Sequence, residues 1–266
     1  MTYLKNRFLN FLEKKDLVMS TGTDLKKLQE LIGNLRPIKT EHELIRMGGL
    51  NDGGYLIPDD LTNIYACFSP GVDATSSFEL SCLDKGMKLF LADASVDGVG
   101  EELIGLDYDF EKKFIGIKID EDFLTLDEWV DSKLTHSGED LLLQMDIEGA
   151  EYETLIALSK KLLSRFRIIC IELHHIGDWV TASNFKFIEL ALSNITKTHT
   201  CVHIHPNNTG HVTNRGGLDL PNTMEFTFLR NDRIAQRQDR SDFPHELDID
   251  CIPSLPHLEL PKCWYK

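Results

Sequence analysis

Four of the ten histidines of this 266-residue chain fall in two short segments, IELHHIGDW and VHIHPNN, which carry His174, His175, His203 and His205. Both segments end or follow apolar, strand-like runs. A third such run continues into MDIEGAEYE, where Asp146, Glu148 and Glu151 place three carboxylates within six residues. An imidazole titrates near neutrality, which suits removal of a proton from a hydroxyl. Mixed imidazole and carboxylate donors also suit a divalent metal such as Mg, Mn or Zn. His174 is the leading candidate for a general base. Asp146 and Glu172 either orient it or join it in holding a metal, although the spacing matches no self-contained metal motif such as HExxH. Helix capping accounts for one or two of the acids after residue 145, because carboxylates favour the first turn of a helix. It accounts less well for an acid that closes an apolar strand.

The elements that must position these residues are legible as an alternation. The apolar runs IYACF (64–68), KLFLAD (88–93), KKFIGIKI (112–119), DLLLQMD (140–146) and RIICIEL (167–173) are separated by helix-like stretches. Nearly unbroken apolar strands alternating with helices indicate a parallel sheet covered on both faces. CVHIH (201–205) and MEFTFLR (224–230) then follow with only a polar loop between them, and read as a terminal antiparallel hairpin. In such sheets ligands sit beyond the carboxyl ends of the strands, where strand order reverses. After the first strand, FSPGVDATSSFE supplies Gly71, which lets backbone approach a ligand closely, and a following helix N-terminus. Asp93 ends the second strand, 22 residues beyond Gly71. That is the spacing at which Rossmann-like sites present a carboxylate to ribose hydroxyls. The dinucleotide fingerprint GxGxxG is absent. Five parallel strands closed by a hairpin fit the seven-stranded α/β sheet of class I S-adenosylmethionine-dependent methyltransferases.

Composition narrows the function classes. The formal charge of −15 argues against a protein that wraps nucleic acid. The longest apolar run is Ile64–Phe68, far short of the roughly 20 residues of a membrane-spanning helix. The N-terminus breaks its apolar residues with charges and lacks the core of a secretory signal. Six scattered cysteines without a CxxC pair read as buried hydrophobes in a reducing compartment, so the expected location is cytoplasmic. Residues 1–45 read as a helical extension of two amphipathic helices, the second carrying Leu25, Leu28, Leu31, Ile32 and Leu35 with Asp24 as its N-cap. This extension is a candidate homodimer surface. Residues 46–230 form the main domain, and the charged, Pro-containing stretch 231–266 is a tail that wraps it.

NDGGYLIP (51–58), FSPGVDATSSFE (68–79), FLADAS (90–95), TLDEWV (125–130), LLQMDIEGAEYETL (142–155), IELHH (171–175) and the HIHPNN…MEFTFLR ending resemble, in that order, the FkbM-type methyltransferases. DIEGAE is the most specific of these segments. The resemblance implies an S-adenosylmethionine-dependent O-methyltransferase acting on sugar hydroxyls of a polysaccharide, a glycolipid or a nucleotide-sugar-derived acceptor. It implies Asp93 at the cofactor ribose and the Gly71 turn at its methionine end. The cofactor-binding candidates are therefore Ser69, Gly71, Asp73, Asp93, Ala94 and Asp146. The substrate-binding candidates are Asp52, Tyr55, Glu148, His203, His205 and Asn207. Asp146, Glu172 and His174 are the candidate metal ligands. The competing readings are an NAD(P)-dependent oxidoreductase on a related sheet, a Rossmann-like binding module without activity, and an acidic interaction surface.

Overall fold

The computed structural model describes residues 20–266 except 51, 73, 74 and 137, and before residue 20 only Arg7, Lys14 and Lys15. The first of the two expected N-terminal helices therefore lies outside the described residues. The second is present as α1, Leu25–Leu35, and the Asp24 carboxylate accepts from the amides of Lys26 and Lys27. Its Leu28, Leu31, Ile32 and Leu35 are buried, as the 3.6-residue period requires.

The central sheet has seven strands: β1 Ile64–Pro70, β2 Lys88–Ala92, β3 Asp109–Glu111, β4 Asp140–Met145, β5 Phe166–Leu173, β6 His199–Pro206 and β7 Met224–Arg230. Their spatial order is β6-β7-β5-β4-β1-β2-β3. Only β7 runs against the rest, pairing antiparallel with both β5 and β6. β6 and β7 thus form the expected terminal antiparallel hairpin, with β7 on its inner side between β5 and β6. The loop joining β6 to β7 also holds a small hairpin of its own, Val212–Arg215 with Leu218–Pro221. The third strand differs from the expectation. The apolar run 112–119 does not enter the sheet; Asp109–Glu111 pairs with β2, and Phe114–Gly116 pairs instead with Phe123–Thr125. An edge strand has one open side and tolerates polar residues, so the more apolar neighbour was a misleading guide.

Strand side chains alternate between two cores. Phe68, Leu143, Ile169 and Phe226 pack under α1, α3 (Leu126–Lys133), α4 (Glu151–Ala157) and α5 (Ala182–Thr196). Cys67, Leu142, Ile168 and Cys170 pack under α2 (Ser77–Asp84) and the hairpin Leu44–Met47/Tyr55–Pro58. All six cysteines are unpaired, and all but the half-buried Cys263 are buried, as expected for small apolar side chains. No helix among the described residues is long and apolar enough to cross a membrane.

Strand order reverses between β1 and β4, and there the two chains nearly collide. Gly71 has φ +85°, and a Cβ on it would stand 1.5 Å from the Asp146 carbonyl oxygen. Pro70 and Asp146 are joined across the same gap by a 3.2 Å backbone hydrogen bond. Glycine is thus needed here for contact between strands. Gly71→Ala is expected to destabilise the fold by about 3 kcal/mol or more, since it combines a forbidden φ with a backbone clash. Denaturant titration reads this as a lowered midpoint, and an unchanged midpoint would contradict the packing described.

Candidate functional site

A cavity of about 190 Å³ opens at the carboxyl end of the sheet, at the reversal between β1 and β4. Asp52, Tyr55, Gly71, Asp93, Asp146 and Glu148, all singled out by sequence, line it. Asp93 is held rigidly. Its Oδ2 accepts from the Val72 amide at 3.0 Å, and its Oδ1 accepts from the Ser95 amide and hydroxyl at 2.6 Å each. A carboxylate has about four acceptor sites, so capacity remains toward the cavity. Glu79 and Gln144 also line it and were missed. Gln144 left a signal: a polar residue inside a strand otherwise apolar on both faces. Beneath them Ser69 is fully buried, its hydroxyl 2.6 Å from both Glu79 Oε1 and Gln144 Oε1, while Gln144 donates to the Tyr55 hydroxyl at 3.3 Å. Ser69 therefore braces the lining and does not itself line the cavity. Burial pushes the Glu79 carboxyl up, and burial with nearby carboxylates keeps the Tyr55 phenol protonated.

His174 follows β5 and stands beside the cavity wall. Its Nδ1 lies 3.0 Å from Glu151 Oε1. Its Nε2 lies 3.5 Å from Glu148 Oε2 and 3.8 Å from both Asp146 Oδ1 and Glu172 Oε1. Burial works against charge on this imidazole, but the Glu151 hydrogen bond and the surrounding acids outweigh it and raise its pKa. Burial raises Asp146 to about 7, opposed by His174 and reinforced by Glu148, Glu151 and Asp52. Burial, then Asp146 and Glu225, raise Glu172. Asp146 Oδ1 and Glu172 Oε2 are buried without a hydrogen-bond partner. Glu148 and His175 are non-glycine residues at φ 55° and 56°, a conformation costing on the order of 1–3 kcal/mol that tends to cluster at working sites. Both lie in the turns that aim these side chains.

The same turn separates the three clustered carboxylates by role. Glu151 alone behaves as a cap, accepting from the Ile147 and Gly149 amides at 3.2 and 3.0 Å. Asp146 and Glu148 are left facing the cavity. Chemically, the arrangement offers a basic nitrogen next to an acidic, half-enclosed chamber.

Comparison with known proteins gives one family. Residues 73–198 match the model of the methyltransferase FkbM domain. The matched stretch contains Asp93, Asp146, Glu172 and His174. No curated protein matches the chain in sequence. Among solved structures, a tRNA (uracil-54, C5)-methyltransferase from Pyrococcus abyssi, in complex with S-adenosyl-L-homocysteine, aligns at 12% identity and a TM-score of 0.29. The alignment covers 70% of this chain and 44% of that one.

The remaining sequence candidates sit elsewhere. Ala94 is half-buried beside Asp93 and is not part of the lining, and Asp73 lies outside the described residues. Asn207 is buried and donates to Glu172 Oε1 at 3.0 Å. His203 and His205 are 2% exposed, do not line the cavity, and contact the segment after residue 240. Asp248 lies 2.8 Å from His203 Nε2 and 3.6 Å from His205 Nδ1, and Phe243 stacks on the His203 ring. A bulge in β6 between Cys201 and His203 turns both imidazoles to this covered face. The Asp248 carboxyl is held far below its ordinary range: burial opposes this, but hydrogen bonds from both histidines prevail. A depressed carboxyl pKa stabilises the fold above the unfolded value of about 3.9 and loses that contribution as pH falls below it. Asp248→Asn is therefore expected to cost about 2 kcal/mol near pH 6, with the difference from wild type closing below about pH 4. Thermal unfolding across that range measures it.

Proposed function

We propose that this protein transfers a methyl group from S-adenosylmethionine to a hydroxyl of a sugar-containing acceptor: a polysaccharide, a glycolipid or a nucleotide-sugar-derived compound. The FkbM match supports methyl transfer. The observation that carries the choice of cofactor is the lining of the cavity. Its described residues include Asp52, Glu79, Asp93, Asp146 and Glu148 and no lysine or arginine. That surface suits a sulfonium amino acid joined to a nucleoside and disfavours the pyrophosphate of a nicotinamide dinucleotide. The oxidoreductase reading weakens accordingly, as it does for want of GxGxxG. Asp93, pinned by Val72 and Ser95, presents its remaining lone pairs for ribose hydroxyls.

When bound, the cofactor supplies an electrophilic methyl group on a sulfonium centre. The chain must then do three things. It must hold an acceptor oxygen in line with that methyl group, keep water out, and take the hydroxyl proton. Tyr55 and Phe78, packed edge to face at 5.5 Å, wall one side of the chamber. His174 is the base in this reading. With Nδ1–H donating to Glu151, the Nε2 lone pair is free to accept the proton. A neutral sugar hydroxyl is a poor nucleophile, so removing that base is expected to cost at least about tenfold in turnover. His174→Ala, assayed with labelled cofactor at saturation against nucleotide-sugar, free-sugar and lipid-linked acceptors, tests both parts. Turnover within tenfold of wild type would remove His174 as base, and no transfer to any sugar acceptor would remove the acceptor class.

A second reading is favoured by the two unpartnered oxygens of Asp146 and Glu172. Ligand atoms of Asp146, Glu148 and His174 lie within 4.8 Å of one another, a set that could close around a divalent cation with Glu172 behind it. The cation would lower the pKa of the acceptor hydroxyl in place of a base. Nε2 cannot serve as ligand and base at once, so the readings are exclusive. Exhaustive EDTA treatment is expected to leave activity intact; its loss, restored by Mg, Mn or Zn, would establish the metal reading.

A further inference from the structure

We propose that Glu151 is the positioning residue of this site: it fixes the tautomer and the aim of His174 so that Nε2, and not Nδ1, is the basic nitrogen. The proposal rests on the reading of His174 as base. Glu151 is fully buried in the first turn of α4 and does not line the cavity. One oxygen, Oε1, receives the Ile147 amide, the Gly149 amide and His174 Nδ1 at 3.2, 3.0 and 3.0 Å. Two of these donors are fixed backbone groups, so the oxygen is anchored and can only accept. The nitrogen facing it must therefore carry the proton. The next residue holds the other end of the same histidine. The Tyr152 hydroxyl donates to the His174 carbonyl at 2.9 Å and itself accepts from Trp179 Nε1 at 3.0 Å.

Backbone and ring of His174 are thus clamped by successive residues of one helix. With the ring so held, Nε2 is left among Asp146, Glu148 and Glu172. During transfer, the acceptor O–H proton passes to Nε2 as the oxygen–methyl bond forms. The sulfur–methyl bond breaks with its electron pair retained on sulfur, and the imidazolium that results is faced by all four carboxylates. Glu151 touches neither substrate nor cofactor in this scheme.

The direct test is the tautomer. Nitrogen-15 NMR of the ring, assigned with His174→Gln, is expected to show a protonated Nδ1 and an unprotonated Nε2 in the neutral wild-type protein; the reverse pattern overturns the proposal. This measurement needs no activity and stands even if His174→Ala shows that the histidine is not the base. Two variants then read the consequence. Glu151→Ala removes the acceptor and is expected to lower kcat by about 100-fold, with S-adenosylhomocysteine affinity changed less than about threefold. Glu151→Gln keeps an oxygen for the three donors and is expected to recover at least about tenfold over the alanine variant. A kcat of Glu151→Ala within threefold of wild type, or equal kcat values for both variants, overturns the proposal.

Discussion

The near-collision of Gly71 with the Asp146 carbonyl is the constraint on which the site depends. Between β1 and β4 the sheet reverses its order, and two strand ends that would ordinarily diverge are instead pinned together by the Pro70–Asp146 hydrogen bond. Any side chain at position 71 would force them apart. That contact joins two residues that line the cavity, Gly71 and Asp146, and fixes the start of the turn that carries Glu148, Gly149 and Glu151. From that turn Glu151 reaches His174 at the end of the neighbouring strand. Gly71, expected from sequence to make room for a ligand, makes room first for the protein's own backbone.

Charge organises the next level. Of the acids behind the net charge of −15, a handful converge on one end of the sheet, where burial holds Asp146 and Glu172 above their ordinary pKa values. Collecting four carboxylates around a single imidazole is costly to the fold. Such an arrangement is retained where something positively charged, or a proton in transit, is to be met. The contrast with Asp140 is informative. There the carboxylate is paired with Arg167 and Arg230 at the opposite end of β4 and its pKa is lowered. One strand thus carries an acid paired with two arginines at its start and acids grouped around one imidazole just past its end.

Much of this was readable from local pattern. Strand-end residues such as Asp93, Asp146 and His174 were identifiable because an acid or imidazole closing an apolar run has few reasons to be there. What sequence could not supply was contact between distant segments. His203 and His205 sit at a strand end like His174, yet Asp248, 45 residues beyond His203, covers them. Nothing in VHIHPNN announces that cover. The third strand was misplaced because the edge of the sheet accepted the polar Asp109–Glu111 while a more apolar run paired elsewhere. The insertion of β7 between β5 and β6 is a property of topology, to which the local sequence of MEFTFLR is indifferent.

The acidic cavity is proposed as the site of a sulfonium nucleoside cofactor. Isothermal titration calorimetry of the full chain with S-adenosylhomocysteine and, separately, with NADH tests it without knowledge of the acceptor. Saturable one-to-one binding of S-adenosylhomocysteine is expected, weakened about tenfold or more by Asp93→Ala through loss of charge-assisted hydrogen bonds to the ribose, with no binding of NADH. Binding of NADH with none of S-adenosylhomocysteine would contradict it.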